Sequence, residues 1–295
     1  MLETLLRDCR YALRVMLANP ASTMVAVVTL ALGIGANTAI FSIVNAVAFK
    51  PLNYKDPERL VFVHDANSGR NLPFFHLTPG NMADIMERNR TLELAGARFG
   101  TAALTGQGTA ERVDTATITP GLLPLLGVEP ATGRTFTLAE GTSGANPVMM
   151  ISHALWQSKF GGDANVLGRK VVVDGETREI VGVVPADFHL LDSKAAIFMP
   201  LVMSAKNRQD RSIHDVRVFG RLLPNASFEQ AGAELSAIAK QLEQEHPQAN
   251  HGWTVRLKPL SEHVVGDVRT GLLTLMGAVL FVLLIACANV ANMLL

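Results

Sequence analysis

The sequence lacks charge over one long stretch and has little cysteine throughout. Residues 20–49 contain no Asp, Glu, Lys or Arg. Cys9 and Cys287 are the only two cysteines, so the polar stretch between them has no internal disulfide. The 26 basic and 26 acidic residues cancel, which gives no case for the basic surface that a nucleic-acid partner requires.

The uncharged stretch 20–49 is predicted to be a transmembrane helix. About 20 apolar residues suffice to cross a bilayer as a helix, and this run is longer. Asn19 suits the N-cap and Pro20 the first turn. A cleaved signal peptide is the alternative, but its apolar core is shorter and ends at a small-residue cleavage site, whereas this run leads into Phe49-Lys50-Pro51.

One side of this helix is small and polar. Gly35, Thr38, Ser42 and Asn45 recur at spacings of three, four and three, which places them on one face. Small and hydrogen-bonding residues let another helix approach closely in a membrane. We therefore predict these four as helix-packing positions, with incidental polarity as the alternative.

Residues 1–18 are predicted to form an amphipathic helix on the cytoplasmic side. Its apolar residues alternate with Arg7, Arg10 and Arg14 at helical spacing. Such a basic face fits membrane lipid headgroups or a partner protein such as an ATPase, and lipid is the simpler assignment.

A second uncharged run, 270–295, is predicted to be a second transmembrane helix. Asn289 and Asn292, three residues apart, share one face and are the proposed packing positions there. The run ends without a following charged residue, so we expect the chain to be the first part of a longer protein. Two spans place both termini on one side and residues 50–269 on the other.

Residues 50–269 are predicted to form an α+β domain. The Asp174-Gly175 pair between two strands is a hairpin signal, and Ser227 with Gln230 predicts a capping box that opens a helix to Glu245. Strands and helices in two similar groups indicate two similar halves, about 50–119 and 212–269, with a small α/β subdomain inserted at about 120–211.

Residue patterns for catalysis or cofactor binding are missing. Gly162 to Gly168 has neither the spacing nor the Lys-Ser/Thr of an ATP-binding loop. The eight histidines are scattered, and none forms a HExxH motif or lies beside a cysteine. We therefore assign no catalytic, metal or cofactor-binding residues and expect the chain not to be an enzyme.

Several ordered motifs resemble the MacB/FtsX-type permeases of ABC transport systems, and among these the acidobacterial duplicated orphan permeases. The resemblance covers essentially the whole chain and rests on these segments: 10–14, 29–41, 51–61, 127–136, 155–163, 181–185 and 284–292. The segment 74–90 departs from the family pattern. The resemblance implies that the two halves of residues 50–269 form a porter-like part, split in sequence by the inserted subdomain.

The resemblance implies a multi-pass protein of the bacterial inner membrane with its large domain in the periplasm. It further implies a separate ABC ATPase, a second permease copy or half, and in some systems a periplasmic adaptor. The chain would then transmit ATP-driven motion to the periplasmic domain for export. The alternative is a non-transporting scaffold that regulates a periplasmic partner such as a cell-wall enzyme.

Overall fold

The computed structural model describes residues 7, 14, 17, 18, 20–44, 54–106, 110–191 and 193–294. At 22, 26, 43, 44, 265, 267–270, 272, 273, 290 and 292–294 it describes the backbone alone. The chain divides into two compact units. We call Leu52–Val264 the folded unit, and Met1–Pro51 with Val265–Leu295 the apolar unit.

The described residues form eight labelled helices and eleven strands. The helices are α1 (Pro20–Val44), α2 (Pro79–Arg88), α3 (Leu122–Leu126), α4 (His153–Phe160), α5 (Ala205–Gln209), α6 (Phe228–Glu245), α7 (Pro247–Asn250) and α8 (Leu260–Leu294). The strands are β1 (Leu60–Asn67), β2 (Leu72–Phe75), β3 (Leu92–Thr105), β4 (Glu111–Ile118), β5 (Thr132–Gly133), β6 (Val148–Ile151), β7 (Lys170–Val173), β8 (Glu176–Val183), β9 (Ile197–Pro200), β10 (Arg217–Leu222) and β11 (Thr254–Pro259).

All eleven strands of the folded unit join one mixed sheet. Its order is β11-β1-β10-β3-β4-β9-β6-β8-β5, with β2 beside β1 and β7 paired to both β3 and β8. The β4–β9 and β6–β8 pairs are parallel, and the other pairs are antiparallel. The first and last strands, β1 and β11, are therefore neighbours although nearly 190 residues separate them in sequence.

The buried side chains divide by the face of the sheet from which they project. In β1, Val61 and Val63 pack on one face with Leu235 and Ile238 of α6. The alternating residues Leu60 and Phe62 join a second core on the opposite face, because side chains alternate along a strand. The α+β class predicted from the sequence is confirmed.

A third core belongs largely to the predicted inserted segment. Met149, Ile151, Val171 and Ile180 are buried together there, and Leu104 of β3 joins them. The strands of residues 120–211 continue the same sheet as the rest of the folded unit. The division into porter-like parts and an insertion stays a prediction.

The helix α6 forms for the reasons read from its sequence. The hydroxyl of Ser227 accepts a hydrogen bond from the Gln230 amide at 3.1 Å, and the Gln230 side chain accepts one from the Ser227 amide at 2.9 Å. This capping box satisfies two amides that the first turn would leave without partners. The buried stripe of the helix includes Leu235 and Leu242.

The strand β3 runs without a break for 14 residues through Gly100. The short helix α5 is capped by the Ser204 hydroxyl, which accepts from the Asn207 amide at 3.2 Å. The final helix begins at Leu260, ten residues before the predicted start of the second span, because Leu260 is fully buried in the core of the folded unit.

In the apolar unit, α1 packs against the apolar part of α8. A Cβ placed on Gly33 would lie 3.1 Å from Leu283 Cδ1, so the absence of a side chain at 33 permits the approach. Asn37 Nδ2 donates to the Val279 carbonyl at 3.2 Å and to the Gly33 carbonyl at 2.9 Å. The contact therefore combines a close approach with a hydrogen bond between helices.

One described helix segment, Thr23–Ser42, is long and apolar enough to cross a membrane. Within α8, the apolar stretch of the described residues is the shorter Thr274–Asn289. The second span predicted at 270–295 stays a prediction.

Candidate functional site

The candidate site lies where β2 joins β1. β2 pairs with β1 at Asp65↔Phe75 and Asn67↔Leu72, with an irregularity between the two pairs. Because side chains alternate, Phe74 contacts His64 on one face, with ring centroids 4.6 Å apart. Phe75 projects to the other face, which carries a groove.

The groove has a volume of about 930 Å³ and an aromatic and basic lining. The rings of Phe75 and His214 lie 5.7 and 4.5 Å from that of Trp253, and the Arg70 guanidinium lies 5.9 Å from the same ring. The remaining lining comprises Leu72, Lys206, Gln209, Asp210, Arg211, Ser212, Gln248 and Ala249. An aromatic surface next to cations suits recognition of another molecule.

A buried acid–histidine pair lies beside this groove. The Nδ1 atom of His214 is 2.7 Å from the carbonyl oxygen of His76 and 3.4 Å from Oδ2 of Asp65, whose side chain is 1% exposed. Burial raises the pKa of Asp65, and the nearby His214 imidazole opposes this rise. Burial lowers the pKa of His214, but the nearby Asp65 carboxylate and the hydrogen bond to the His76 carbonyl outweigh it, so this pKa lies above its ordinary value.

This pair is not arranged with a nucleophile. Ser212 is the hydroxyl of the groove lining, and its Oγ donates to the Asp210 carboxylate at 2.8 Å. The same carboxylate accepts from the Ser212 amide at 2.9 Å, and these bonds lower the pKa of Asp210. Among the described residues, no cluster of three His, Cys, Asp or Glu side chains is placed to hold a metal ion.

Opposite the groove lies an aromatic–histidine cluster of Phe62, His64, Phe74, His76 and His263. His263 stacks on Phe62 at 3.9 Å and on Phe74 at 5.3 Å, both with planes 14° apart. Burial, together with the nearby charges of His263, Arg256 and Lys258, lowers the pKa of His64 to about 4. His64 is therefore neutral at ordinary pH.

The histidines were not predicted to converge. The sequence presents eight at irregular spacing, yet His64, His76, His214 and His263 meet around one end of the sheet. Strand alternation could have placed His64 and Phe62 on one face, but the contacts with His214 and His263 depend on pairing between distant segments.

The predicted packing residues of α1 lie on the side away from α8. Gly35, Thr38 and Ser42 are exposed, and nothing lies within 4 Å of a Cβ placed on Gly35. The Thr38 and Ser42 hydroxyls donate to carbonyls of their own helix, each at 2.8 Å. Gly35 is two positions from Gly33, about 200° around the helix, so the sequence contained two polar stripes and the other one contacts α8.

The remaining predicted residues have no partner role assigned by the structure. Asn289 is exposed in α8, and Arg7 and Arg14 are helical and exposed. Asn45 and Arg10 lie outside the described residues, as does the side chain of Asn292. Packing of these asparagines and of the Gly35 stripe against another chain, and contact of the arginines with lipid or an ATPase, stay predictions.

A family model described as the MacB-like periplasmic core domain matches residues 23–238, nearly three quarters of the chain. The chain belongs to this family. The resemblance to MacB/FtsX-type permeases is thereby confirmed, and the narrower assignment to the acidobacterial duplicated orphan permeases stays a prediction. No curated protein in the comparison matches the chain.

Two solved structures share the fold of this MacB-like domain. One is a domain of a protein named as a permease from Porphyromonas gingivalis, with 20% identity and a TM-score of 0.56 over 70% of this chain and 93% of that one. The other is the periplasmic region of MacB from Actinobacillus actinomycetemcomitans, with 12% identity and a TM-score of 0.52 over 78% of this chain and 97% of that one. The chain thus carries the periplasmic core domain of the ABC-type permease family.

Proposed function

We propose that this chain acts as a permease subunit in an ABC-type export system. The observation that carries the proposal is the family match, which begins inside the apolar helix α1 and continues through the folded unit. In this arrangement α1 and the apolar part of α8 cross the bacterial inner membrane, and the folded unit lies in the periplasm.

The partners of this function are a separate ABC ATPase, a second permease copy or half, and a periplasmic adaptor. The apolar unit would transmit movement driven by ATP hydrolysis to the folded unit, and the chain itself would catalyse no reaction. The contact of Gly33 and Asn37 with α8 supports this role, because two helices that touch closely can move together.

The test is ATP hydrolysis by the candidate ATPase, reconstituted with the permease in membranes. We expect hydrolysis to depend on the permease and to lose this dependence in Gly33→Leu, which separates α1 from α8. Gly35→Leu is the matched control, because position 35 is open and should tolerate leucine. An ATPase that neither associates with the permease nor responds to it would refute the transport role.

A scaffold that regulates a periplasmic partner is the second candidate. The groove favours it, because Trp253, Phe75 and Arg70 form a recognition surface in the folded unit. Under this reading, a periplasmic protein such as a cell-wall enzyme binds equally with and without ATP. Binding that changes with the nucleotide state of the ATPase would reject the scaffold in favour of the transporter.

A further inference from the structure

The strand β11 ends the sheet in the described part of the chain. It pairs with β1 from Val61↔Pro259 to Ala66↔Thr254, and the sheet order places no described strand on its other side. An edge strand presents backbone N–H and C=O groups that can pair with a strand from another molecule. Pro259 lacks an N–H, so pairing is confined to the residues from Thr254 to Lys258.

The side chains of this edge strand give it a positive face. Lys258 lies opposite Phe62 and Arg256 opposite His64, so both cations share the face of the aromatic–histidine cluster. Arg256 is exposed, and Lys258 is 3.9 Å from Glu262 with 29% of its side chain exposed. Both cations lower the pKa of His64, which agrees with their position beside its ring.

The described acids of this face do not offset both cations of β11. Glu262 lies 3.9 Å from Lys258, whereas Arg256 forms no ion pair with a described acid. The strand therefore keeps a positive charge at Arg256.

We propose that β11 binds an extended acidic segment of a protein partner as an additional strand of the sheet. Alternate carboxylates of that segment would lie against Arg256 and Lys258, while its backbone pairs with the free edge. Cross-strand pairs of opposite charge stabilise such pairing, and pairs of like charge oppose it.

The same charges decide between possible occupants. A second copy of β11 would bring arginine and lysine against the same residues, so the edge resists pairing with itself. A lipid surface supplies anions but no peptide groups to satisfy the edge. An acidic polypeptide supplies both.

The experiment measures binding of a synthetic ten-residue peptide of alternating glutamate and valine. The protein is the full chain in nanodiscs of zwitterionic lipid, and fluorescence anisotropy of a label on the peptide reports the affinity. We expect the double variant Arg256→Glu/Lys258→Glu to bind at least about tenfold more weakly, and to prefer a lysine–valine peptide. Arg112→Glu, a change of an arginine exposed on β4, should leave the affinity within twofold of the original chain.

A second peptide separates strand addition from simple charge attraction. N-methylation of alternate residues removes backbone donors without changing charge, and we expect it to abolish binding. Equal binding of the methylated peptide, or equal binding by the double variant, would overturn the proposal. Binding to anionic vesicles without binding to the peptide would also overturn it and assign the face to lipid. These outcomes concern the folded unit alone and do not depend on ATP coupling.

Discussion

The helices α1 and α6 both lack breaks, yet they follow opposite rules of side-chain placement. In α6 the apolar residues lie on one stripe, and Ala231 and Leu235 are fully buried against the sheet. In α1 the apolar residues surround the helix, and Leu32 and Phe41 are 69% and 58% exposed. The first pattern suits a helix between a core and water, and the second suits a helix surrounded by lipid.

This difference shows where each helix obtains its stability. Burial against the sheet stabilises α6, so we expect α6 and the sheet to unfold together. Most described side chains of α1 are exposed, whereas Gly33 is buried and Asn37 half-buried against α8. The two tryptophans, Trp156 and Trp253, both lie in the folded unit, so their fluorescence reports unfolding of that unit separately.

The largest expected effect is that of shortening one buried side chain of α6. Leu235→Ala removes a fully buried side chain from the core beneath the sheet and should reduce the free energy of unfolding by about 2–5 kcal/mol. Leu32→Ala in α1 should change it by less than about 0.5 kcal/mol. Denaturant titration followed by tryptophan fluorescence measures both, and equal effects would contradict the contrast.

A second prediction concerns the contact within the apolar unit. Gly33→Leu should push α1 away from α8, at a cost of about 1–3 kcal/mol for overpacking, whereas Gly35→Leu should not. Spin labels at Leu32→Cys and Leu284→Cys, with both native cysteines replaced by alanine, report the interhelical distance. A lengthened distance in Gly35→Leu alone would mean that the predicted stripe, not Gly33, holds the pair.

The third prediction concerns how the stability of the folded unit depends on pH. The comparison helix α1 has no titratable side chain between Pro20 and Val44, so it adds no such dependence. His64 has a pKa of about 4 in the folded unit and about 6.5 when unfolded, so the unfolded chain binds more protons between these values. Its contribution is complete above pH 6.5 and is lost as the pH falls towards 4, by up to about 2 kcal/mol.

The variant His64→Phe keeps a ring beside Phe74 but removes this titration. The free energy of unfolding should then fall less steeply between pH 6.5 and 4 than in the original chain. His153→Phe, whose ring contacts Trp156 away from the cluster, is the control and should keep the original slope. An unchanged slope in His64→Phe would show that the titration of His64 does not cause the loss of stability in acid.

The smallest expected effect is that of the interhelical hydrogen bond. Asn37→Leu removes the donor to the Val279 carbonyl and should weaken the contact of α1 with α8 by about 1 kcal/mol. Thr38→Val removes a hydroxyl that bonds only within α1 and should have no such effect on the distance between the two spin labels. Equal effects would show that polarity in α1 stabilises the helix itself and not the pair.

The sequence predicts the features that depend on neighbouring residues alone. The capping box of Ser227 and Gln230 is confirmed, as is the Asp174-Gly175 turn, where both residues have positive φ. The apolar run of α1 was also evident. These features are set by a few adjacent side chains and need no knowledge of the rest of the fold.

The site could not be predicted because it depends on distant pairings. Asp65 and His214 meet only after β2 joins β1 and the chain before β10 returns beside it. The strand β2 has only four residues, and their burial does not alternate, so its sequence does not predict a strand. Pairing with β1 is what makes it one. In α1 the sequence indicated the stripe of Gly35, and only the position of α8 shows that Gly33 lies at the contact.

The pairing of β1 with β11 has a further consequence for the architecture. Val61 near the start of the folded unit and Pro259 near its end lie opposite each other, which brings their Cα atoms to within about 5.5 Å. A module whose entry and exit are adjacent can be inserted into a loop of another protein, because the two ends of that loop need little separation.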